Sequence, residues 1–205
     1  MLENEFYNYF ALNKLVYQHS LQFVTTKLEY FFIPCHLIKC KENGMEQDIL
    51  IYIDDKERLD ASAAANSFAH KDVKNRAYIN TLGAELALKY LVSENVEVSE
   101  VKNIHSIKKI LEETDIADIM LPNIHIDVRV IFDENAIFIP KSHFDYNLVP
   151  DIYLVFNLAK DHSHVKFAGF FEPKLINKNN ENSDYYFIEK EKLNSPSDLV
   201  NYINS

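Results

Sequence analysis

The sequence predicts an α/β or α+β protein: a mixed central sheet flanked by helices, with an N-terminal extension. Three observations predict it. Residues 72–93 place Ala77, Leu82, Leu86 and Tyr90 at helical spacing. From residue 116 onward the pattern changes to period two and short apolar runs. Helices first, then a mainly β half, then a closing helix is the order of a layered mixed architecture.

The elements follow in order. Residues 3–30 are aromatic-rich and read as a helix weakened by the β-type run Phe23, Val24, Thr25 and Thr26. Residues 29–40 read as a strand interrupted at Pro34. Residues 48–53 form a short strand after the turn Lys41-Glu42-Asn43-Gly44. Residues 56–69 are rich in Ala and predict a helix. The helix over 72–93 takes Asp72 as its N-cap, and a shorter helix covers 104–113. Strands are expected over 116–121, 124–132, 136–140, 152–159 and 165–171. Asp133-Glu134-Asn135 makes a tight turn between the second and third of these, and His162-Ser163-His164 reads as a hairpin turn. Residues 177–184 are a polar loop, Tyr185–Ile188 a last strand, and Ser197–Ile203 a final helix beginning near Pro196. No linker stands out. Residues 1–55 are expected as an elaboration packed on a single core domain over 56–205.

Composition bounds the function. The chain has 205 residues, 47% of them hydrophobic and 25% charged, which suits a folded domain. Only 3 residues are Gly, and no Gly-rich phosphate loop or dinucleotide fingerprint occurs. The formal net charge of −10 works against a nucleic-acid groove, which draws its affinity from positive charge. A protein partner or self-association is therefore expected ahead of nucleic acid. Two cysteines, Cys35 and Cys40, read as free thiols of a reducing compartment, and the cytoplasm is the expected location. No apolar run reaches the length of a membrane span, and the first residues are acidic rather than signal-like. The 12 Tyr and 14 Phe are expected to fill core and interface, since few Lys or Arg interleave with them.

The chemistry-bearing segment is Asp118-Ile-Met-Leu-Pro-Asn-Ile-His-Ile-Asp127-Val-Arg129. Acids are depleted in strands, yet two stand here in apolar β-type runs. Asp127 and Arg129 are two apart and so share a strand face. An acid pair with a base beside it suits metal binding or phosphodiester cleavage. The competing reading is a structural ion pair. His125, Asp127 and His143 form a conceivable metal cluster, and Cys35, His36 and Cys40 a conceivable but incomplete zinc set.

An ordered series of short motifs carries a resemblance. It runs Ala63–Ala69 (AAANSFA), Ala77–Gly83 (AYINTLG), Lys89-Tyr90-Leu91, Ala117-Asp118-Ile119, Asp127-Val128-Arg129, Ile139-Pro140, Ile152–Val155 and Ala168-Gly169-Phe170. This series resembles the cyanobacterial domain-of-unknown-function family 1822 over about residues 60–203. The family has no established activity.

A second resemblance is to a fold. A leading helix, an acid on one strand, and an acid-x-base on the next look like the PD-(D/E)XK superfamily of restriction-endonuclease-like enzymes. The resemblance implies Asp118 and Asp127 as ligands of Mg²⁺, with Glu85 as an added helical acid. It puts Arg129 in the place of the superfamily's Lys. Arg does not deprotonate in a protein, so Arg129 is no general base and would at most clamp a phosphate. Lys141 is the candidate for a substitute amine. For Glu85 the plainer alternative is an exposed helical acid. The favoured expectation is a degenerate, non-catalytic binding or regulatory module that holds no cofactor. The alternatives are a Mg²⁺-dependent nuclease on DNA or RNA with these residues working, and an unrelated α+β protein-interaction domain.

Overall fold

The computed structural model describes residues 37–40, 48–102, 118–179 and 183–205, with the backbone alone at 37–40, 100–102 and 118. The helix expected over 3–30, most of the strand over 29–40, and the helix over 104–113 lie outside the described residues, as do Cys35 and His36.

Two helices come first. Helix α1 (Asp55–Asn66) starts at a complete capping box. The Glu57 amide donates to Asp54 Oδ1 at 2.9 Å, and the Asp54 amide donates to Glu57 Oε2 at 2.9 Å. The buried Ala61 and Ala65 keep its inner face flat. Helix α2 (Lys71–Ser93) has 23 residues. Its N-cap is His70, with no side-chain cap, and the expected N-cap Asp72 lies inside the first turn. There its carboxylate still faces the positive end of the helix dipole. Lys89 ties the two helices together: Nζ reaches Glu57 Oε1 at 2.8 Å and the Tyr52 carbonyl at 3.0 Å.

The strands are β1 (Leu37–Cys40), β2 (Asp48–Tyr52), β3 (Glu100–Lys102), β4 (Asp118–Met120), β5 (His125–Ile131), β6 (Ala136–Pro140), β7 (Ile152–Leu158), β8 (His164–Phe171) and β9 (Tyr185–Glu189). Among the described residues, seven form one mixed sheet in the order β1-β2-β8-β7-β5-β4-β3, and β6 pairs with β9 in a second, two-stranded sheet. The β5–β7 pair is parallel and its other neighbours are antiparallel. A parallel pair needs a crossover. Here the crossover contains β6 and the short helix α3 (Ser142–Asp145). The chain closes with helix α4 (Leu199–Ile203), preceded by a 3-10 turn at Pro196–Asp198 where the sequence predicts helix. The class is thus mixed α and β, as the sequence predicts. Strand β2 lies before the domain boundary expected at residue 55, and it is hydrogen-bonded into the sheet.

Strand alternation divides the core in two. Ile126 and Val128 of β5, with Ile152, Leu154, Phe156 and Leu158 of β7, join Leu82, Leu86 and Leu91 of α2 in the larger apolar cluster. Ile131, Tyr153 and Val155 point the other way, into a smaller cluster with Ile137, Ile139 and Ile188. Helix α2 lies close on the first face. A Cβ on Gly83 would stand 2.7 Å from Val130 Cγ2 and 3.3 Å from Val128 Cγ1. On β8 the alternation resets at a bulge, where Val155 pairs with Gly169 and Phe156 with Phe167. Phe167 and Phe170 therefore both reach the larger cluster.

Candidate functional site

Strand β5 delivers Asp127 and Arg129 to the face that α2 does not cover. Asp127 is 1% exposed and Arg129 5%. Both Nε and Nη2 of Arg129 donate to Asp127 Oδ2, at 2.8 and 2.7 Å. The same-face reading of the i, i+2 spacing therefore holds, and the two side chains are bonded to each other.

The pair continues into a polar line. Arg129 Nη2 lies 3.3 Å from His143 Nε2, and His143 Nδ1 lies 3.3 Å from the Tyr153 hydroxyl. A guanidinium only donates, so Nε2 is the acceptor. Nδ1 then carries the ring proton and donates to Tyr153. His143 is fully buried and comes from α3, inside the crossover. Its ring stacks on Tyr153, which stacks on Phe171 with centroids 4.7 Å apart. Four polar side chains thus sit inside an otherwise apolar cluster, each facing another, as buried polar groups must.

The other expected site residues are placed as follows. The antiparallel register sets position 118 directly across from Asp127. Lys141 caps α3, and its Nζ stands 5.2 Å from the centroid of the Tyr186 ring. His125 uses its amide on Asp151 Oδ2 at 2.7 Å. Glu85 belongs to α2, on the opposite side of the sheet from Asp127. It is half-buried rather than exposed, and its Oε2 has no hydrogen-bond partner among the described residues. Burial, then the carboxylates of Asp60 and Glu57, push its pKa up to about 7.

Asp127 and Glu85, as placed, do not present a shared open set of oxygens to a Mg²⁺ ion. The ion wants an open octahedron of oxygens. The Asp127 carboxylate is enclosed and held by a guanidinium, and Glu85 stands beyond the sheet. Among the described residues, no group of three His, Cys, Asp or Glu converges.

The open feature lies next to the buried pair. Strand β4 pairs with β5 only over residues 125–127. Beyond that point a cleft of about 640 Å³ opens between α2, the end of β5 and β6. Its walls include Tyr78, Phe132, Phe138 and Tyr185, with Arg76 and Arg129 as cations and Glu134 as an acid. Phe132, Phe138 and Tyr185 are 46%, 51% and 40% exposed. Two non-glycine residues with positive φ, Asp133 (60°) and His162 (55°), shape the turns at its edge. Sequence reasoning missed this cleft, because its walls come from four separated segments. The one local signal was Phe132 directly before the Asp133-Glu134-Asn135 turn, an aromatic where a turn flank is usually polar.

No helix among the described residues is long and apolar enough to cross a membrane. No curated protein and no solved structure matches the chain. A family model does match, over residues 51–204, and it spans α1, α2, the buried line and the cleft alike. The chain belongs to that family, described as protein of unknown function (DUF1822).

Proposed function

We propose that this protein is a non-catalytic binding or regulatory module on a nuclease-like frame, with the cleft beside Arg129 as its ligand site. The observation that carries the reading is the Asp127–Arg129 pair. A carboxylate that accepts two guanidinium N–H bonds while 1% exposed is an internal structural group. The cleft supplies what a binding module needs: concave volume, apolar walls and a few polar groups. A content of only two cysteines in the chain fits a cytoplasmic setting.

The test is a metal titration of the full chain. Mg²⁺ and Mn²⁺ are expected to leave the melting temperature unchanged, and labelled single- and double-stranded DNA and RNA to stay intact. A metal-dependent rise in melting temperature that Asp127→Asn abolishes would overturn the reading, because a ligand of the native state stabilises by mass action. One observation favours a second reading, a Mg²⁺-dependent phosphodiesterase: the register sets position 118 across from Asp127. That reading requires Arg129 to release Asp127.

A further inference from the structure

We infer that the cleft binds an uncharged, planar aromatic molecule. The inference rests on the proposed binding role and names the ligand class. Three observations carry it. The first is an aromatic platform set by strand register. Phe138 pairs with Phe187 and Pro140 with Tyr185, so Phe138 and Tyr185 share one face of the β6–β9 ribbon as diagonal neighbours. Ile137, Ile139 and Ile188 alternate to the other face and enter the smaller apolar cluster. The ribbon thus turns its aliphatic side inward and leaves Phe138 51% and Tyr185 40% exposed. Phe132, just past the end of β5, adds a third exposed ring, and Tyr78 of α2 a half-buried one. Rings contributed from three walls of one concavity offer flat faces and edges to a flat ligand.

The second is size. About 640 Å³ falls within the range of small-molecule sites and is too small for a folded partner. The third is charge balance. The lining carries Arg76, Arg129 and Glu134. Asp127 holds the Arg129 guanidinium through two hydrogen bonds and cancels its charge. Arg76 already has an interaction partner, and its charge is matched by that of Glu134 in the same lining. The cleft and the pair behind it therefore sum to zero. An ion that moves from water onto aromatic walls gives up hydration and meets no unmatched counter-charge. An uncharged ring system loses little hydration and gains the apolar contact. The polar recognition on offer is neutral as well: the exposed Asn75 brings an amide, donor and acceptor both, to the α2 wall.

The experiment titrates the full chain with N-phenyl-1-naphthylamine, an uncharged fluorescent aromatic, and then displaces it. The competitors are 2-naphthol, which is neutral, naphthalene-2-sulfonate, 1-naphthylmethylammonium, and the flexible neutral chain 1-decanol. The amine is expected to bind at a single site. 2-Naphthol is expected to displace it at a concentration about tenfold lower than either ion or decanol requires. Phe138→Ala removes a half-exposed ring and is expected to weaken the amine by about tenfold. Phe132→Ala, at a second exposed position, repeats that test should Phe138→Ala disturb the fold. Glu134→Gln unbalances the lining and is expected to improve competition by the sulfonate about threefold while leaving the amine within about twofold. An ion that competes as well as 2-naphthol overturns the inference, as does decanol doing so, or amine binding that neither Phe variant weakens. The metal titration is scored separately. No metal response with failed probe binding sinks the ligand class alone, whereas an Asp127-dependent metal response sinks the binding role itself.

Discussion

The two faces of the main sheet are built from the same strands and solve different problems. Under α2 the contacts are mainly apolar, with Asn80 and Thr81 buried among them: Ile126, Val128, Leu154 and Phe156 meet Leu82, Leu86 and Leu91. Under β6 and β9 a similar apolar layer encloses Asp127, Arg129, His143 and Tyr153. The first face gains stability mainly by apolar burial, which is non-directional and tolerant of repacking. The second holds a charged pair that is stable only while complete. The cleft opens beside the second face, with Arg129 in its lining.

The sharpest break of this comparison is Asp127→Ala. It leaves the Arg129 guanidinium buried without its carboxylate, and the expected loss is about 3–5 kcal/mol in urea unfolding. The double variant Asp127→Leu with Arg129→Met is expected to recover most of that loss, because a well-packed apolar pair often matches a buried ion pair. If the double variant is as unstable as the single one, the pair contributes more than its own mutual satisfaction.

Gly169→Ala tests the point where β8 resets its alternation between the faces. Gly169 has φ +138°, and a Cβ there would land on the Asn194 backbone oxygen. That oxygen accepts from the Phe170 amide at 3.2 Å, so it has little room to give. The expected cost is about 2–3 kcal/mol, from a backbone conformation closed to L residues together with the overlap. A neutral substitution would mean that the bulge relocates and that the two faces tolerate a change of register.

Much of the fold was legible in the sequence. The runs at 124–132, 136–140 and 152–159 lie within a residue or so of β5, β6 and β7, because strands buried on both faces read as short apolar runs. The α2 stripe was legible for the same kind of reason, while its N-cap was not: Asp72 has the right chemistry two positions too late. In the candidate site, the i, i+2 spacing of Asp127 and Arg129 showed a shared face but not what else lies on it. Lys141 was chosen by nearness in sequence, yet the crossover delivers His143 to Arg129 and sets Lys141 over Tyr186. Tyr153 was hidden in an apolar run. Its meeting with His143 depends on the parallel register that sets Asp127 beside Tyr153, a long-range fact no local pattern encodes. The cleft depends on contacts between residues 75–80, 129–138, 162 and 185, and was invisible for the same reason.

A smaller effect separates the faces by pH. Glu85 lies on the α2 side, its folded pKa raised to about 7 from an ordinary 4.5 by burial and by Asp60 and Glu57. The folded state therefore holds this proton more tightly than the unfolded chain does. Its stabilising contribution is complete below about pH 4.5 and is lost as pH rises through about 7. Allowing for solvent screening of a partly exposed group, the expected fall is about 1–2 kcal/mol. Glu85→Gln is expected to remove that slope and to be the more stable protein at pH 8. An unchanged slope in Glu85→Gln would show that Glu85 is not the group that titrates.

The finest contrast comes from two tyrosines in matched settings. Tyr90 on α2 is 2% exposed, with its ring 4.7 Å from Phe167; Tyr153 on β7 is fully buried, with its ring 4.7 Å from Phe171. Replacing either by Phe keeps the ring contacts and deletes only a hydroxyl. The Tyr90 hydroxyl makes one long bond, 3.4 Å to the Pro196 carbonyl, and its loss is expected to cost under about 0.5 kcal/mol. The Tyr153 hydroxyl accepts the proton that orients His143 against Arg129, so Tyr153→Phe leaves a buried N–H without that acceptor. The expected cost is about 1–2 kcal/mol. Chemical denaturation of the two variants side by side reads the difference. Equal costs would mean that the polar line is no more coupled than an isolated hydrogen bond, and that His143 keeps its orientation through packing against Tyr153 alone.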